Sequence, residues 1–194
     1  MTSDAREARS VGQSSVAVLL SAPSERFIID ICALLLQEFP RVGGPAFEHA
    51  VAGLRSRFAH NAAAVLTGLM LMLSAMAGAG HLPRLRSSRS RRAGKDDLLL
   101  VAMLAASQKG DKGRAIEAAI ALLDTCRVHS VVIAARALGK LLIELGVEFR
   151  PVGATTFDYV AGYPVVADPS AKPAPKPAAT APTGRPVLRL LKSA

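Results

Sequence analysis

The chain has 194 residues, of which 51% are hydrophobic, and its formal net charge is +9. The apolar residues are mainly Ala, Leu and Val, with no Trp and only 4% aromatic residues, a composition that favours one domain of closely packed helices. The two cysteines, Cys32 and Cys126, are too far apart for a zinc-ligand motif or a disulfide framework, so a reducing compartment is expected.

Charge divides the chain into segments that are expected to fold and segments that are not. The foldable parts are close to neutral, whereas the excess positive charge lies in two segments whose composition resists folding. The predicted organisation, in chain order, is a flexible N-terminus (1–20), a first helical half (21–82), a basic linker (83–95), a second helical half with an extended arm (96–166) and a disordered basic tail (167–194).

Three helices are predicted in the first half. Apolar residues recur at helical spacing through 24–39, as at Phe27 and Ile31. A second helix is predicted from Pro45, because proline suits the first helical position. A third helix covers 61–79, either continuous with the second or separate from it.

The third helix lies in a stretch without charge, since no Asp, Glu, Lys or Arg occurs between Phe58 and Pro83. Two interpretations are open. A span at about 61–80 would make this a single-pass inner-membrane protein, but its Gly, Thr and Ser residues make insertion marginal. We therefore favour a buried helix of a soluble bundle and keep the span as the alternative.

Small or weakly polar residues line one face of this third helix. His60, Thr67, Ser74 and His81 recur every seven positions, with Ala and Gly between them. Such a face suits the close approach of another helix. Ala/Gly-rich faces of this kind are expected to join the two halves, or to bind a protein partner or a second copy.

The basic linker carries six cations and no acid: Arg84, Arg86, Arg89, Arg91, Arg92 and Lys95. Arginine can bind phosphate through two parallel hydrogen bonds, and each neutralised phosphate releases counterions, so this segment predicts salt-sensitive binding to nucleic acid or another polyanion. No aromatic residue is interleaved, so base stacking is not indicated. The alternatives are a solvated loop and the positive anchor of a membrane span.

The second half is predicted to contain helices after Asp96-Asp97, at 114–126 and at 130–146. "KGDKG" separates the first two as a turn, and Gly146 caps the third. Residues 147–166 are richer in β-branched and aromatic residues, which predicts a short extended or β-like arm. In the tail, Leu188, Leu190 and Leu191 form a candidate docking peptide.

Catalytic, metal-binding and cofactor motifs are not indicated by the sequence. The histidines are too widely spaced to share an ion, and "GDKG" lacks the spacing of a phosphate-binding loop. "AHNAAAVLTGL" resembles the phosphoacceptor helix of histidine kinases through Ala59, His60, Leu66 and Thr67, although Asn61 replaces the usual acidic residue. This resemblance implies, as a second alternative function, a phosphorelay protein that is phosphorylated on His60.

The sequence thus predicts a mainly α, compact bundle of five or six helices with an extended arm and a disordered Pro/Ala-rich tail. The expected function is that of a cytoplasmic, non-enzymatic interaction or adaptor protein. Its helical part would bind a protein or itself, and its basic segments would contact an acidic partner such as nucleic acid.

Overall fold

The computed structural model describes residues 23–41, 43–86 and 93–162, which form a bundle of α-helices and contain no strand. This confirms the predicted mainly α fold. The predicted flexible N-terminus and disordered tail lie outside the described residues. The helices are α1 (Pro23–Glu38), α2 (Pro45–Phe58), α3 (Ala62–Gly78), α4 (Lys95–Lys109), α5 (Lys112–Leu123), α6 (His129–Glu144) and α7 (Ala154–Ala161), with a 3-10 turn at Ala59–Asn61.

Helix α4 is the centre of the bundle. Every residue from Asp97 to Ser107 is buried, and the helix packs against α1, α5, α6 and α7. A helix that is apolar on all sides can bury its surface only when other helices surround it. The run "LLLVAMLAAS" therefore requires that other helices surround α4. The N-terminus of α4 directly follows the basic linker.

Two glycines let the helices approach closely. A Cβ atom on Gly68 of α3 would lie 3.0 Å from Leu138 Cδ1 of α6, and one on Gly139 of α6 would lie 3.2 Å from Gln108 Cγ of α4. Both halves of the chain contribute to one continuous apolar core. In this arrangement Val65, Leu69, Met72, Leu73 and Met76 form the buried face of α3.

The second and third predicted helices are separate, because the chain turns at Ala59. This residue has φ 48° and ψ −116°, outside helical geometry, and the 3-10 turn follows it. At the other end of α2, the Glu38 carboxylate accepts hydrogen bonds from Ala46 N (3.1 Å) and Phe47 N (3.0 Å). The last residue of α1 thus satisfies two otherwise unpaired amides at the start of α2.

The predicted arm begins at Gly146, which has φ 74° and follows α6. Val147 N donates to Leu142 O over 2.8 Å, a helix-terminating bond that a left-handed glycine permits. Residues 147–153 then run without helix or strand. They carry two buried apolar side chains, Val147 and Phe149, into the core.

Within the described part of the predicted arm, Ala154–Ala161 is helical and forms α7. Its Phe157 is 1% exposed, and the Arg114 guanidinium of α5 lies 3.6 Å from the centre of the Phe157 ring. Thr and Val residues disfavour helix locally, but packing of this kind overrides weak intrinsic propensity. The predicted extended or β-like arm is therefore without helix or strand up to Gly153, and the short helix that follows is not predicted by the sequence.

Candidate functional site

The basic loop, residues 84–95, joins α3 to α4, and the structure describes it at both ends (84–86 and 93–95). Two consecutive carboxylates at the start of α4 hold these ends. Arg84 N donates to Asp96 Oδ2 over 2.7 Å, Arg86 N donates to Asp97 Oδ1 over 3.0 Å, and Gly94 N donates to Asp97 Oδ2 over 2.6 Å. The single Asp97 carboxylate therefore bridges the two ends of the loop.

Asp97 does this from a buried position, since it is only 1% exposed. Desolvation raises the pKa of Asp97, while the backbone hydrogen bonds from Gly94 and Arg86 and the charge of Arg86 act in the opposite direction. The pKa of Asp30 on α1 is also raised, first by desolvation and in smaller part by the charge of Asp97, against the effect of Arg26. The loop is thus attached to a partly buried acidic region between α1 and α4.

The two described ends of the loop lie side by side. A Cβ atom on Gly94 would lie 3.3 Å from Arg86 Nε, so the Arg86 side chain passes directly over Gly94. The side chains of Arg84, Arg86 and Lys95 are all exposed. Asp96 and Asp97 bind the loop through its backbone amides. Neither Arg84 nor Lys95 forms an ion pair with a described residue.

Three of the six predicted polyanion-binding residues are therefore placed on one surface, at the N-terminus of α4. Arg89, Arg91 and Arg92 lie outside the described residues, as do Leu188, Leu190 and Leu191 of the predicted docking peptide. The sequence pattern of Asp96 and Asp97 indicates only a helix N-terminus. Their contacts with the loop, 12 and 11 residues earlier in the chain, are not marked by any local pattern.

The outer face of α3 is a second exposed surface, and it carries no charge. Ala63, Ala64, Thr67 and Ser74 are exposed, and Leu71 is 61% exposed, with no charged residue among them. Most of the small, weakly polar stripe predicted on this helix therefore faces outward. No described residue covers it.

Among the described residues, one stretch, Pro45–Gly78, is long and apolar enough to cross a membrane by length and composition, and it comprises α2, the 3-10 turn and α3. Of its most apolar window, 33% is buried inside the bundle. The two interpretations of this segment, a buried helix and a span, therefore both remain predictions.

His60 lies in the 3-10 turn between α2 and α3 and is exposed. Its Nε2 atom is 3.1 Å from Asn61 Nδ2. The resemblance to a phosphoacceptor helix would place this histidine within a helix, whereas here it precedes α3. Phosphorylation of His60 stays a prediction.

The described ends of the basic loop present exposed cations, and the carboxylates of Asp96 and Asp97 hold these ends in place. Within the described parts of the chain, no three His, Cys, Asp or Glu side chains lie together as a metal site would require. Comparison with family models, with curated proteins and with solved structures finds no match to this chain.

Proposed function

We propose that this protein is a non-enzymatic helical interaction protein that binds an acidic partner, in the first instance nucleic acid, through its basic loop. The observation that supports the proposal most strongly is the attachment of the loop by Asp96 and Asp97. The carboxylates occupy backbone amides and leave the described cationic side chains exposed. A folded helical support thus presents exposed cations, of which Arg86 also interacts electrostatically with Asp97.

The expected binding is electrostatic and independent of base sequence. Arginine side chains bind phosphate oxygens through paired hydrogen bonds, and most of the free energy comes from release of counterions. The loop contains no aromatic residue that could stack on a base. Six cations give a slope of log K against log salt of at most about −5, since each neutralised phosphate of duplex DNA contributes about −0.9.

The test replaces the five loop arginines by serine and measures binding of a fluorescent DNA duplex by anisotropy over a series of salt concentrations. The variant is expected to lose binding and most of the salt dependence, with an unchanged far-UV circular dichroism spectrum. The substitutions are Arg84→Ser, Arg86→Ser, Arg89→Ser, Arg91→Ser and Arg92→Ser.

A control with the same change in net charge separates the loop from general basicity. It replaces five exposed cations that lie outside the loop: Arg41, Arg55, Arg57, Arg127 and Lys140. The control is expected to retain most of the affinity. Equal loss in both variants, or undiminished binding in the loop variant, would contradict the proposal.

A membrane function is the second candidate, because the outer face of α3 is uncharged and partly apolar. A span would have to withdraw α3 from the bundle and expose core residues such as Leu69 and Met72, which are fully buried against it. Hydrophobic burial of this extent opposes such a withdrawal. Fractionation decides between the candidates, since carbonate washing releases a peripheral or soluble protein and leaves an integral one in the pellet.

A further inference from the structure

A cavity of about 230 Å³ lies where α4, α5 and α6 meet, on residues that the basic loop does not include. Three basic side chains line it: Lys112 at the start of α5, and His129 and Arg136 on α6. Neither Lys112 nor Arg136 forms an ion pair with a described residue. Positive charge therefore converges on a concave surface without an internal partner.

One acidic residue, Asp111, also lines the cavity, but its carboxylate is already engaged. Its Oδ1 atom accepts a hydrogen bond from Arg114 N over 2.9 Å and so caps α5. Lys112 and Arg136 together outweigh this single negative charge. The cavity thus favours an anion.

Ser107 supplies an independent indication of a ligand. It lines the cavity, it is only 5% exposed, and its hydroxyl oxygen has no hydrogen-bond partner among the described residues. A hydroxyl within a helix commonly bonds to the carbonyl four residues earlier, as Thr67 does with Ala63 O over 2.9 Å. Ser107 makes no such bond, so its buried hydroxyl beside the cavity has no partner among the described residues.

Two helix N-termini meet the same cavity. Lys112 and His129 are the first residues of α5 and α6, and no side chain caps the first turn of α6. The uncapped amides at the start of α6, together with its helix dipole, attract phosphate in particular, whereas the Asp111 carboxylate already occupies the start of α5. The opposite wall is apolar, formed by Val132 and Ile133.

We infer that this cavity binds a small phosphate monoester, with its phosphoryl group among Lys112, Arg136 and Ser107 and its apolar body against Val132 and Ile133. A phosphoryl group offers several acceptor oxygens to match these donors and two negative charges to match the cations. The cavity volume of about 230 Å³ suits a small ligand of this kind.

The test titrates the full-length protein with propyl phosphate, inorganic phosphate and butyrate, and follows backbone amide shifts by NMR and heat by calorimetry. Propyl phosphate is expected to shift the amides of Gly110, Gly113 and Ser130 saturably and to bind more tightly than inorganic phosphate. Butyrate binding as tightly as propyl phosphate would overturn the phosphoryl assignment. Shifts confined to the basic loop, or no saturable shift at millimolar concentrations, would overturn the site.

Matched variants separate specific binding from general charge attraction. Lys112→Gln with Arg136→Gln is expected to weaken binding by about tenfold or more, and Ser107→Ala by a smaller factor, with unchanged circular dichroism. Arg55→Gln with Arg57→Gln removes the same charge from exposed positions on α2, outside the cavity, and should leave binding unchanged. Equal weakening by both pairs would show that the cavity contributes nothing specific.

Discussion

Glu25, on the first turn of α1, is a buried carboxylate, and its burial opposes its ionisation. It is 0% exposed, and its Oε1 atom accepts a hydrogen bond of 2.6 Å from Arg150 N. Its Oε2 atom has no hydrogen-bond partner among the described residues. Desolvation raises the pKa of Glu25 above its ordinary value of 4.5, although the hydrogen bond and the charge of Arg150 act against this.

Replacing Glu25 by Gln is expected to remove a decrease in stability that the wild type shows as pH rises above 4.5. Because the pKa is raised in the folded state, the folded protein binds more protons than the unfolded chain just above pH 4.5, and the stability decreases as pH rises through that window. Gln keeps an acceptor for Arg150 N and has no such titration. Urea unfolding at a series of pH values should show a smaller decrease for the variant than for the wild type.

The exposed Glu144 on α6 provides the control, since Glu144→Gln changes charge equally without a buried carboxylate. That variant should follow the pH dependence of the wild type. Parallel curves for Glu25→Gln and the wild type would mean that ionisation of Glu25 does not cause the decrease.

The side chains with the most specific roles could not be identified from the sequence, because their partners are distant along the chain. Glu25 and Arg150 are 125 residues apart, and Gln108 binds the arm 39 and 41 residues later. Neither pair has a spacing that a helix or turn would impose. Ser107 is equally inconspicuous in the sequence, since only the packing of α4 shows that its hydroxyl lacks a partner.

At the level of whole elements, the arm after α6 depends on Gln108, the penultimate residue of α4. Its Nε2 atom donates to Val147 O over 2.8 Å, and its Oε1 atom accepts from Phe149 N over 2.7 Å. One side chain thereby pairs two backbone groups of a segment that has no ladder or helix of its own. It also keeps the buried Phe149 side chain in the core.

Gln108→Ala is expected to lower the free energy of unfolding by at least about 2 kcal/mol, since each buried polar group left unpaired costs about 1–3 kcal/mol. Urea denaturation measures this loss, and hydrogen exchange at the Phe149 amide should accelerate. Gln37→Ala, at an exposed position on α1, is the matched control and should change the stability little. Unchanged exchange at Phe149 in Gln108→Ala would contradict the assigned role.

Most helices could be predicted because their signals are local. The apolar periodicity of α6 and the glycine at position 146 mark a helix and its end, and Pro45 marks the start of α2. The helix α7 could not be predicted, because its formation depends on the contact of Phe157 with Arg114 on another helix. The basic loop is marked in the sequence by its charge, but no local pattern indicates how Asp97 joins its ends.

For the molecule as a whole, one continuous core implies that the two helical halves unfold together. Cys32 on α1 reports on the first half, since it is 0% exposed and burial raises the pKa of its thiol to about 12. An alkylating reagent therefore reaches a reactive Cys32 thiolate only when the bundle opens. Cys126 is exposed and would be replaced by serine so that Cys32 is the sole reporter.

In this background, Leu104→Ala is expected to accelerate the labelling of Cys32. Leu104 lies on α4 and is 0% exposed, and removing such a side chain costs about 2–5 kcal/mol. A loss of 2 kcal/mol corresponds to labelling that is about 30-fold faster if both halves open in one step. Mass spectrometry under native conditions measures the rate.

The control truncates a leucine that lies outside the core. Leu71 on α3 is 61% exposed, so Leu71→Ala should leave the rate of Cys32 labelling within about twofold of the parent. If Leu104→Ala lowers the unfolding temperature but leaves the Cys32 rate unchanged, the first half does not open together with the second. The basic loop would then join two units that unfold separately, because it is the only covalent connection between the helices α1 to α3 and α4 to α7.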